Sequence, residues 1–462
     1  MEQVKESAIA LTKKQTHARY WIVAMLFIIT SVNYGDRATL SIVGDSMSHA
    51  LGIDSIAMGF IFSGFSWAYV IGQIPGGLLL DKFGSKRVYL ISIITWSIFT
   101  CVQGFIDIFP GASVVAVLFL LRFLVGICES PAFPGNSRIV AAWFPAKERG
   151  TASAIFNSAQ YFATVIFAPI MGWLTHAFGW HYVFFFMGGV GLVAAFFWQK
   201  IIYPPKQHPS INAAELAYIE AGGALTNLDQ PNDDKQTPAQ QLTAQAKLPT
   251  ISKKAAITEL LSSRMMLGIC LGQYCINALT YFFITWFPVY LIQARGMSIL
   301  HAGFIAAIPA ICGFVGGISG GVISDYLLTR GVSLTWARKI PIIAGMLLST
   351  SMIGCNYVNA DWLVVGFMAL SFFGKGLGAL GWAVMSDAAP REVAGLSGGI
   401  FNMIGNISGI VTPIAIGYII AITGSFNGAL LYVGIHALVA VISYVIIVGK
   451  IERIKLSSTF HA

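Results

Sequence analysis

Charge is scarce in this sequence: Asp, Glu, Lys and Arg make up 10% of 462 residues, while 56% are hydrophobic. An ordinary soluble domain carries about 25% charged residues, so the scarcity excludes a large water-solvated globule and leaves a polytopic membrane protein. Cysteine is sparse as well. The six (Cys101, Cys128, Cys270, Cys275, Cys312, Cys355) lie in or beside apolar runs without a C-x-x-C spacing, and read as small buried hydrophobes, not metal ligands. No phosphate-cradling glycine motif occurs among the 48 glycines, so no ATP site is expected. The eight histidines fall mostly at span ends and in loops, and the apolar runs hold no Ser/His or His/Asp arrangement with a nucleophile, which argues against a membrane enzyme. Neither a cofactor nor a metal is called for.

A signal-peptide pattern is missing too. Lys5, Lys13, Lys14 and Arg19 precede an apolar run too long for an h-region, and no small-residue cleavage site follows, so the first span is expected to stay attached. The net charge of +8 does not indicate a nucleic-acid partner, because the basic residues lie next to hydrophobic spans on alternate loops.

What the sequence does have is twelve apolar runs, at about residues 20–43, 58–80, 88–108, 112–144, 150–176, 182–202, 267–291, 302–326, 340–356, 362–389, 395–422 and 428–448. Each can cross most or all of a hydrocarbon core about 30 Å thick at about 1.5 Å per residue. The expected fold is an all-α integral membrane protein with twelve transmembrane helices in two pseudo-symmetric six-helix bundles. A short segment (1–19) precedes the first bundle (20–202), a linker (203–258) joins it to the second (259–449), and a tail (450–462) follows.

Alternate loops and the tail hold Lys82, Lys86, Arg87, Lys147, Arg149, Arg330, Arg338, Lys339, Arg391, Lys450, Arg453 and Lys455. Histidines aside, the opposite loops hold only Arg295, a positive-inside signal that places both termini in the cytoplasm. The linker carries Pro204-Pro205, Pro209, Pro231 and a Gln/Ala/Thr-rich stretch, the composition of a solvated connection. Within it, Asn212-Ala213-Ala214-Glu215 has the form of a capping box and predicts a short helix through Ile219. Pro145, Gly150, Phe156 and Asn157 recur in order and spacing as Pro390, Gly395, Phe401 and Asn402, which marks the halves as repeats.

Asn33-Tyr34-Gly35-Asp36-Arg37 interrupts the first run. A charge at the bilayer centre costs about 2.5–3.5 kcal/mol on insertion scales, so two in succession must face protein or a water-filled space. Arginine keeps its charge and offers a fork that fits a carboxylate, whereas aspartate can take up a proton. Arg122 and Glu129, seven residues apart, share one face of the fourth span. The 245-residue offset from Pro145 to Pro390 carries Lys375 of the tenth span to position 130, beside Glu129, so the repeat sets a cation of the second half opposite the carboxylates of the first. The bland alternative for these five charges is a set of structural ion pairs, such as Arg122 with Glu129 and Asp36 with Arg37.

Gly77-Leu78-Leu79-Leu80-Asp81-Lys82-Phe83-Gly84-Ser85-Lys86-Arg87 follows the second span and resembles the signature of the major facilitator superfamily, departing only at Ser85, where a base is usual. A weaker copy, Gly321-Val322-Ile323-Ser324-Asp325, follows the eighth span, with its later bases displaced to Arg338 and Lys339. Its glycine suits close helix packing and its charges a clamp on the inner gate. Asn33-Tyr34-Gly35-Asp36-Arg37, Arg122-Phe123-Leu124, Glu129-Ser130-Pro131-Ala132-Phe133-Pro134-Gly135-Asn136 and Phe156-Asn157-Ser158-Ala159-Gln160 resemble the anion:cation symporter family. Within it, nearly the whole chain is similar to permeases for glucarate and galactarate, including Arg264-Met265-Met266-Leu267-Gly268 and Phe372-Phe373-Gly374-Lys375-Gly376.

That resemblance implies proton-coupled uptake of hexarates across a bacterial inner membrane by a monomer whose other partners are protons and lipid. It assigns anion binding to Arg37 and proton coupling to Asp36 and Glu129. Around them it places Tyr34, Tyr69, Gln160 and Asn402 at the cavity, with Asn157 and Tyr281 as weaker additions. Lys375 is the counterpart cation and Arg122 a supporting ion pair. Uptake of a monoacid such as galactonate and anion exchange are the rival readings. A channel is disfavoured, since moving two negative charges against about 150 mV costs roughly 7 kcal/mol. A sensor would call for a signalling domain larger than the residues after Val448.

Overall fold

A computed structural model of the chain describes residues 16–109, 111, 113–145, 148–228, 253–390 and 393–454. Lys147, Arg391, Lys455, most of the segment 1–19 and the later part of the linker lie outside the described residues. The chain is helical, with no strand among the described residues. In chain order the helices are α1 (Ala18–Leu51), α2 (Ser55–Phe83), α3 (Ser85–Gln103), α4 (Ser113–Glu129), α5 (Ala132–Trp143), α6 (Arg149–Phe178), α7 (His181–Ile201), α8 (Ala213–Ala221), α9 (Lys253–Ser262), α10 (Arg264–Thr285), α11 (Phe287–Gln293), α12 (Ile299–Thr329), α13 (Leu334–Ser349), α14 (Asp361–Leu377), α15 (Gly381–Ala388), α16 (Ala394–Thr423) and α17 (Asn427–Ile442).

Each expected span has its helix or helix pair, and ten of these hold an 18-residue apolar stretch with at most two charged residues. The other two are α1, interrupted by Asn33 to Arg37, and α3, which opens on Lys86-Arg87. Three runs read as continuous are broken. The fourth span divides at Ser130-Pro131 into α4 and α5, because proline lacks the N–H that would continue the ladder. The seventh divides at Trp286, two residues before Pro288, into α10 and α11. The tenth divides after Gly374-Lys375-Gly376-Leu377-Gly378, where three glycines weaken the helix, into α14 and α15.

By contact the chain falls into two units, one drawn from Met1–Ile53 and Gly64–Pro231, the other from Asp54–Ser63 and Asn232–Ala462. In the first, α1 packs along α6 and α7, and α3 along α4 and α7. In the second, α14 packs against α12 and α13, and α10 against α16 and α17. Small residues make the α12–α14–α13 contact possible. A Cβ on Gly316 would stand 2.1 Å from the Phe373 carbonyl oxygen, and one on Gly345 2.3 Å from that of Gly374. Ser349 and Ser371 then donate their hydroxyls to each other's carbonyl oxygens, both at 2.9 Å, locking α13 to α14 one turn from Lys375.

The expected capping box is only half formed. Asn212 Oδ1 accepts from the Glu215 N–H at 2.9 Å, but the Asn212 N–H turns to Thr16 Oγ1 at 3.0 Å. The Glu215 carboxylate, fully buried, instead accepts from the Ala18 and Arg19 N–H groups at 3.0 and 3.2 Å and from Thr16 Oγ1 at 2.7 Å. It also pairs with Arg19 Nη1 at 3.0 Å. The first N–H groups of a helix have no partner within it and carry its positive dipole end, so a carboxylate from α8 caps α1. Glu148 joins through Arg19 Nε at 3.2 Å and the Tyr218 hydroxyl at 2.5 Å. The early linker is therefore fastened to the first unit, not loosely solvated: Leu225 N–H donates to Ala141 at 2.9 Å and Arg149 Nη2 to Gly223 at 2.6 Å.

Candidate functional site

In the first unit, α1, α2 and α4 bring six of the singled-out residues together. Arg37 is buried, and its Nε donates to Glu129 Oε2 at 3.0 Å, with Glu129 wholly enclosed. Three rings surround the guanidinium, those of Tyr34, Phe65 and Tyr69, at 4.8, 4.6 and 4.8 Å from Cζ. Cation–π attraction and the ion pair together fix the plane of the fork. Neighbouring residues on a helix point about 100° apart, so Asp36 lies outside this cage. There both its carboxylate oxygens are buried without a hydrogen-bond partner of normal geometry among the described residues, although the Trp96 indole approaches them. Arg122 Nη1 points to the Asp36 carbonyl oxygen at 3.5 Å, while the Glu129 carboxylate is engaged by Arg37.

The close approach that makes room for this cluster falls on Gly35, where a Cβ would stand 2.7 Å from the Phe167 ring of α6 and 2.8 Å from Met187 of α7. Gln160 lies on α6 and donates to the carbonyl of Asn157 one turn earlier, at 3.2 Å. Asn157 in turn donates to the Ser153 carbonyl at 2.8 Å.

The second unit holds a different set. Lys375 is buried in the last turn of α14, with Nζ 5.1 Å from the Phe372 ring centre, and Phe372 stacks on Phe283 of α10 at 4.2 Å. Asn402 on α16 accepts from Asn406 Nδ2 at its side-chain oxygen (3.1 Å) and its carbonyl (2.8 Å). The Tyr281 hydroxyl donates to Asn406 Oδ1 at 2.9 Å, so Tyr281, Asn406 and Asn402 form one chain across α10 and α16.

The signature segment turns between α2 and α3 at Gly84, whose φ of 79° calls for glycine. Asp81 pairs with Arg138 of α5, and Arg138 Nη2 also donates to the Leu228 carbonyl at 2.8 Å. Lys86 lies over the Tyr203 ring, 3.2 Å from its centre, while Lys82 sits 5.1 Å from the Phe83 ring centre and Arg87 belongs to the opening of α3. The packing glycine is Gly76 and not Gly77: a Cβ on Gly76 would meet Pro131 at 3.1 Å, whereas one on Gly77 would meet nothing within 4 Å. In the second copy, Arg338 lies 3.6 Å from Asp325 and 2.9 Å from Asp387, and donates to Ser324 Oγ at 2.8 Å.

Sequence reasoning did not single out Phe65, Trp96, Arg138 or Asn406. Arg138 had a signal, as a lone charge one turn after Pro134-Gly135, and Asn406 lies one turn from Asn402. The two aromatics had none, since a ring in an apolar run reads as core.

The Major Facilitator Superfamily profile matches residues 26–336. A protein of Escherichia coli (strain K12) described as a probable galactarate/D-glucarate transporter is 66% identical over 449 residues, covering 97% of each chain. One of the same description from Bacillus subtilis (strain 168) is 60% identical over 443 residues, covering 96% of this chain and 94% of that one. Among solved structures, a D-xylose-proton symporter superposes with a TM-score of 0.65 at 14% identity, over 94% of this chain and 98% of that one, a likeness of fold.

Proposed function

The chain belongs to the Major Facilitator Superfamily, and on that premise we propose that it is a symporter bringing galactarate or D-glucarate into the cell with protons by alternating access. It works as a monomer in a bacterial inner membrane, with two six-helix bundles at 20–202 and 259–449 and both termini in the cytoplasm. The observation that carries the reading is the Arg37–Glu129 pair at 3.0 Å inside an aromatic cage.

A guanidinium fork that could hold a carboxylate bidentately is occupied by an internal carboxylate. When Glu129 takes up a proton its oxygens lose most of their hold on Arg37, which is then free to exchange Glu129 for one terminal carboxylate of the substrate. Loss of the proton returns Glu129 to Arg37 and displaces the anion. Asp36 carries a second proton, Arg122 steadies the backbone beneath it, and Lys375 takes the other substrate carboxylate. Tyr34, Tyr69, Gln160 and Asn402 serve the hydroxyls. Gly77, Asp81, Lys82, Gly84, Lys86 and Arg87 belong to the inner gate and touch no substrate.

Two protons with one dianion move no net charge. In proteoliposomes free of counter-substrate, labelled D-glucarate and galactarate should accumulate when the outside is acidic and respond little to an imposed potential. A large inward positive current on adding substrate would overturn the two-proton account, and uptake that needs an internal anion would replace symport by exchange.

A further inference from the structure

We propose that Asn33, Thr30, Asn136 and Tyr89 line a water-filled proton-release path inside the first unit, running from Glu129 to the end of the bundle where α3 begins. This rests on the symport reading of Glu129. Glu129 is 0% exposed, so a proton leaving it needs a polar route through protein. Thr30, Asn33 and Arg37 are spaced i, i+3, i+7 on α1 and share one face over about 10 Å of helix. Asn33 stands beside the Glu129 carboxylate. One turn back, Thr30 Oγ1 accepts from Asn136 Nδ2 of α5 at 3.0 Å. Beside Asn136 is the hydroxyl of Tyr89, whose ring packs where a Cβ on Gly135 would stand 2.8 Å from it. Tyr89 lies in the second turn of α3.

These four side chains are at most 1% exposed. Asn33 reaches the Glu129 carboxylate and the Tyr89 hydroxyl reaches Asn136 within loose hydrogen-bonding range, yet Glu129 Oε1, both amide atoms of Asn33, Asn136 Oδ1 and the Tyr89 hydroxyl close no hydrogen bond of normal geometry among the described residues, which leaves them capacity for water. Buried polar atoms are almost always satisfied, and a row of unsatisfied ones next to an enclosed acid is a lining for water. The charged groups around Glu129 are Arg37, Arg122 and Asp36; none belongs to the path itself.

The transfer balances with water alone. The Glu129 O–H bond breaks, its electron pair stays on the carboxylate, which rejoins Arg37, and the proton passes to the adjacent water. Successive O–H bonds break and form along the file, and a proton leaves to bulk water beyond Tyr89. The amides orient the waters, while the Tyr89 hydroxyl can both accept and donate.

The test compares two activities of the reconstituted full chain: net glucarate uptake driven by a pH gradient, which requires proton release, and glucarate exchange between equal pools, which does not. Tyr89→Phe, which removes one oxygen and keeps the ring, and Asn136→Leu should each slow net uptake by up to about tenfold, the factor for one hydrogen bond lost from a transition state. Exchange should stay within about twofold of the parent by the same scale. Asn136→Ser, which keeps a hydroxyl, should recover most of the net rate. Loss of both activities in the same proportion, or of neither, in Tyr89→Phe overturns the path. A parent protein whose uptake ignores the pH gradient would instead overturn the symport reading.

Discussion

The two units carry the same scaffold and opposite interiors. In both, the fourth span of the unit breaks at an ionisable residue: α4 ends on Glu129, and Lys375 sits in the last turn of α14. Helix C-termini leave carbonyl oxygens without partners and carry the negative dipole end. Lys375 complements that end, whereas Glu129 opposes the one it terminates and is held there by Arg37. The first unit also buries Asp36 and Arg122, while among the described residues the second adds only Lys339, and relies on glycine contacts and hydroxyl or amide pairs. The helix break is common to the two units, and the charge that sits at it differs in sign. Proton chemistry would then be confined to the first unit and anion recognition shared.

The largest expected effect breaks that confinement or upholds it. Glu129→Gln supplies a neutral amide in place of the protonated acid and cannot release a proton. Accumulation against a gradient should fall to background, while exchange between equal internal and external pools persists. Asp36→Asn should behave in the same way. Normal accumulation by Glu129→Gln, measured in proteoliposomes with an acidic exterior, would remove the first unit from the proton path.

A second contrast concerns the ends of the units. Glu215 is wholly buried with three hydrogen bonds and an ion pair, while Arg338 faces Asp325 and Asp387, which are 76% and 25% exposed. Removing one partner of a buried pair typically costs about 3–5 kcal/mol, and an exposed pair contributes about 0–1 kcal/mol. Glu215→Ala should therefore lower the thermal unfolding midpoint of the full chain in detergent far more than Asp325→Ala. Equal shifts would mean that the α8 cap does not hold the first unit together.

Much of this was legible before any coordinates. Twelve spans follow from apolar runs long enough to cross most or all of a hydrocarbon core, and Asp36, Arg37, Glu129 and Lys375 stand out because charge in such runs is costly. Which charge meets which was not legible. Arg37 and Glu129 are 92 residues apart, and their pairing is set by how the first unit brings α1 and the end of α4 together, not by spacing along either. The aromatic cage was hidden for the same reason, since Phe65 reads as core until Arg37 is laid against it. Glu215 misled because a capping-box pattern specifies the donor in its own helix and says nothing of a second helix start nearby, that of α1, which captured its carboxylate. Gly77 was preferred to Gly76 because the signature names it, although the residue facing Pro131 is decided by the rotation of α2.

The smallest expected effect tests whether recognition is shared. If Arg37 takes one carboxylate of a hexarate bidentately, Lys375 can take the other as a point charge, and a monoacid with the same carbon count gives Lys375 nothing to hold. Lys375→Gln should thus weaken glucarate more than galactonate. A charge-assisted hydrogen bond of about 1.5–3 kcal/mol sets the difference at roughly ten- to hundredfold. Binding must be measured with the pH gradient collapsed, so that altered coupling cannot pass for altered affinity. The alternative role for Lys375 is structural, since its ammonium lies by Phe372 and its turn is locked to α13 through Ser371 and Ser349. A structural lysine would cost both ligands equally when replaced, leaving the second unit without a charge that reads the substrate and Arg37 as its main electrostatic anchor.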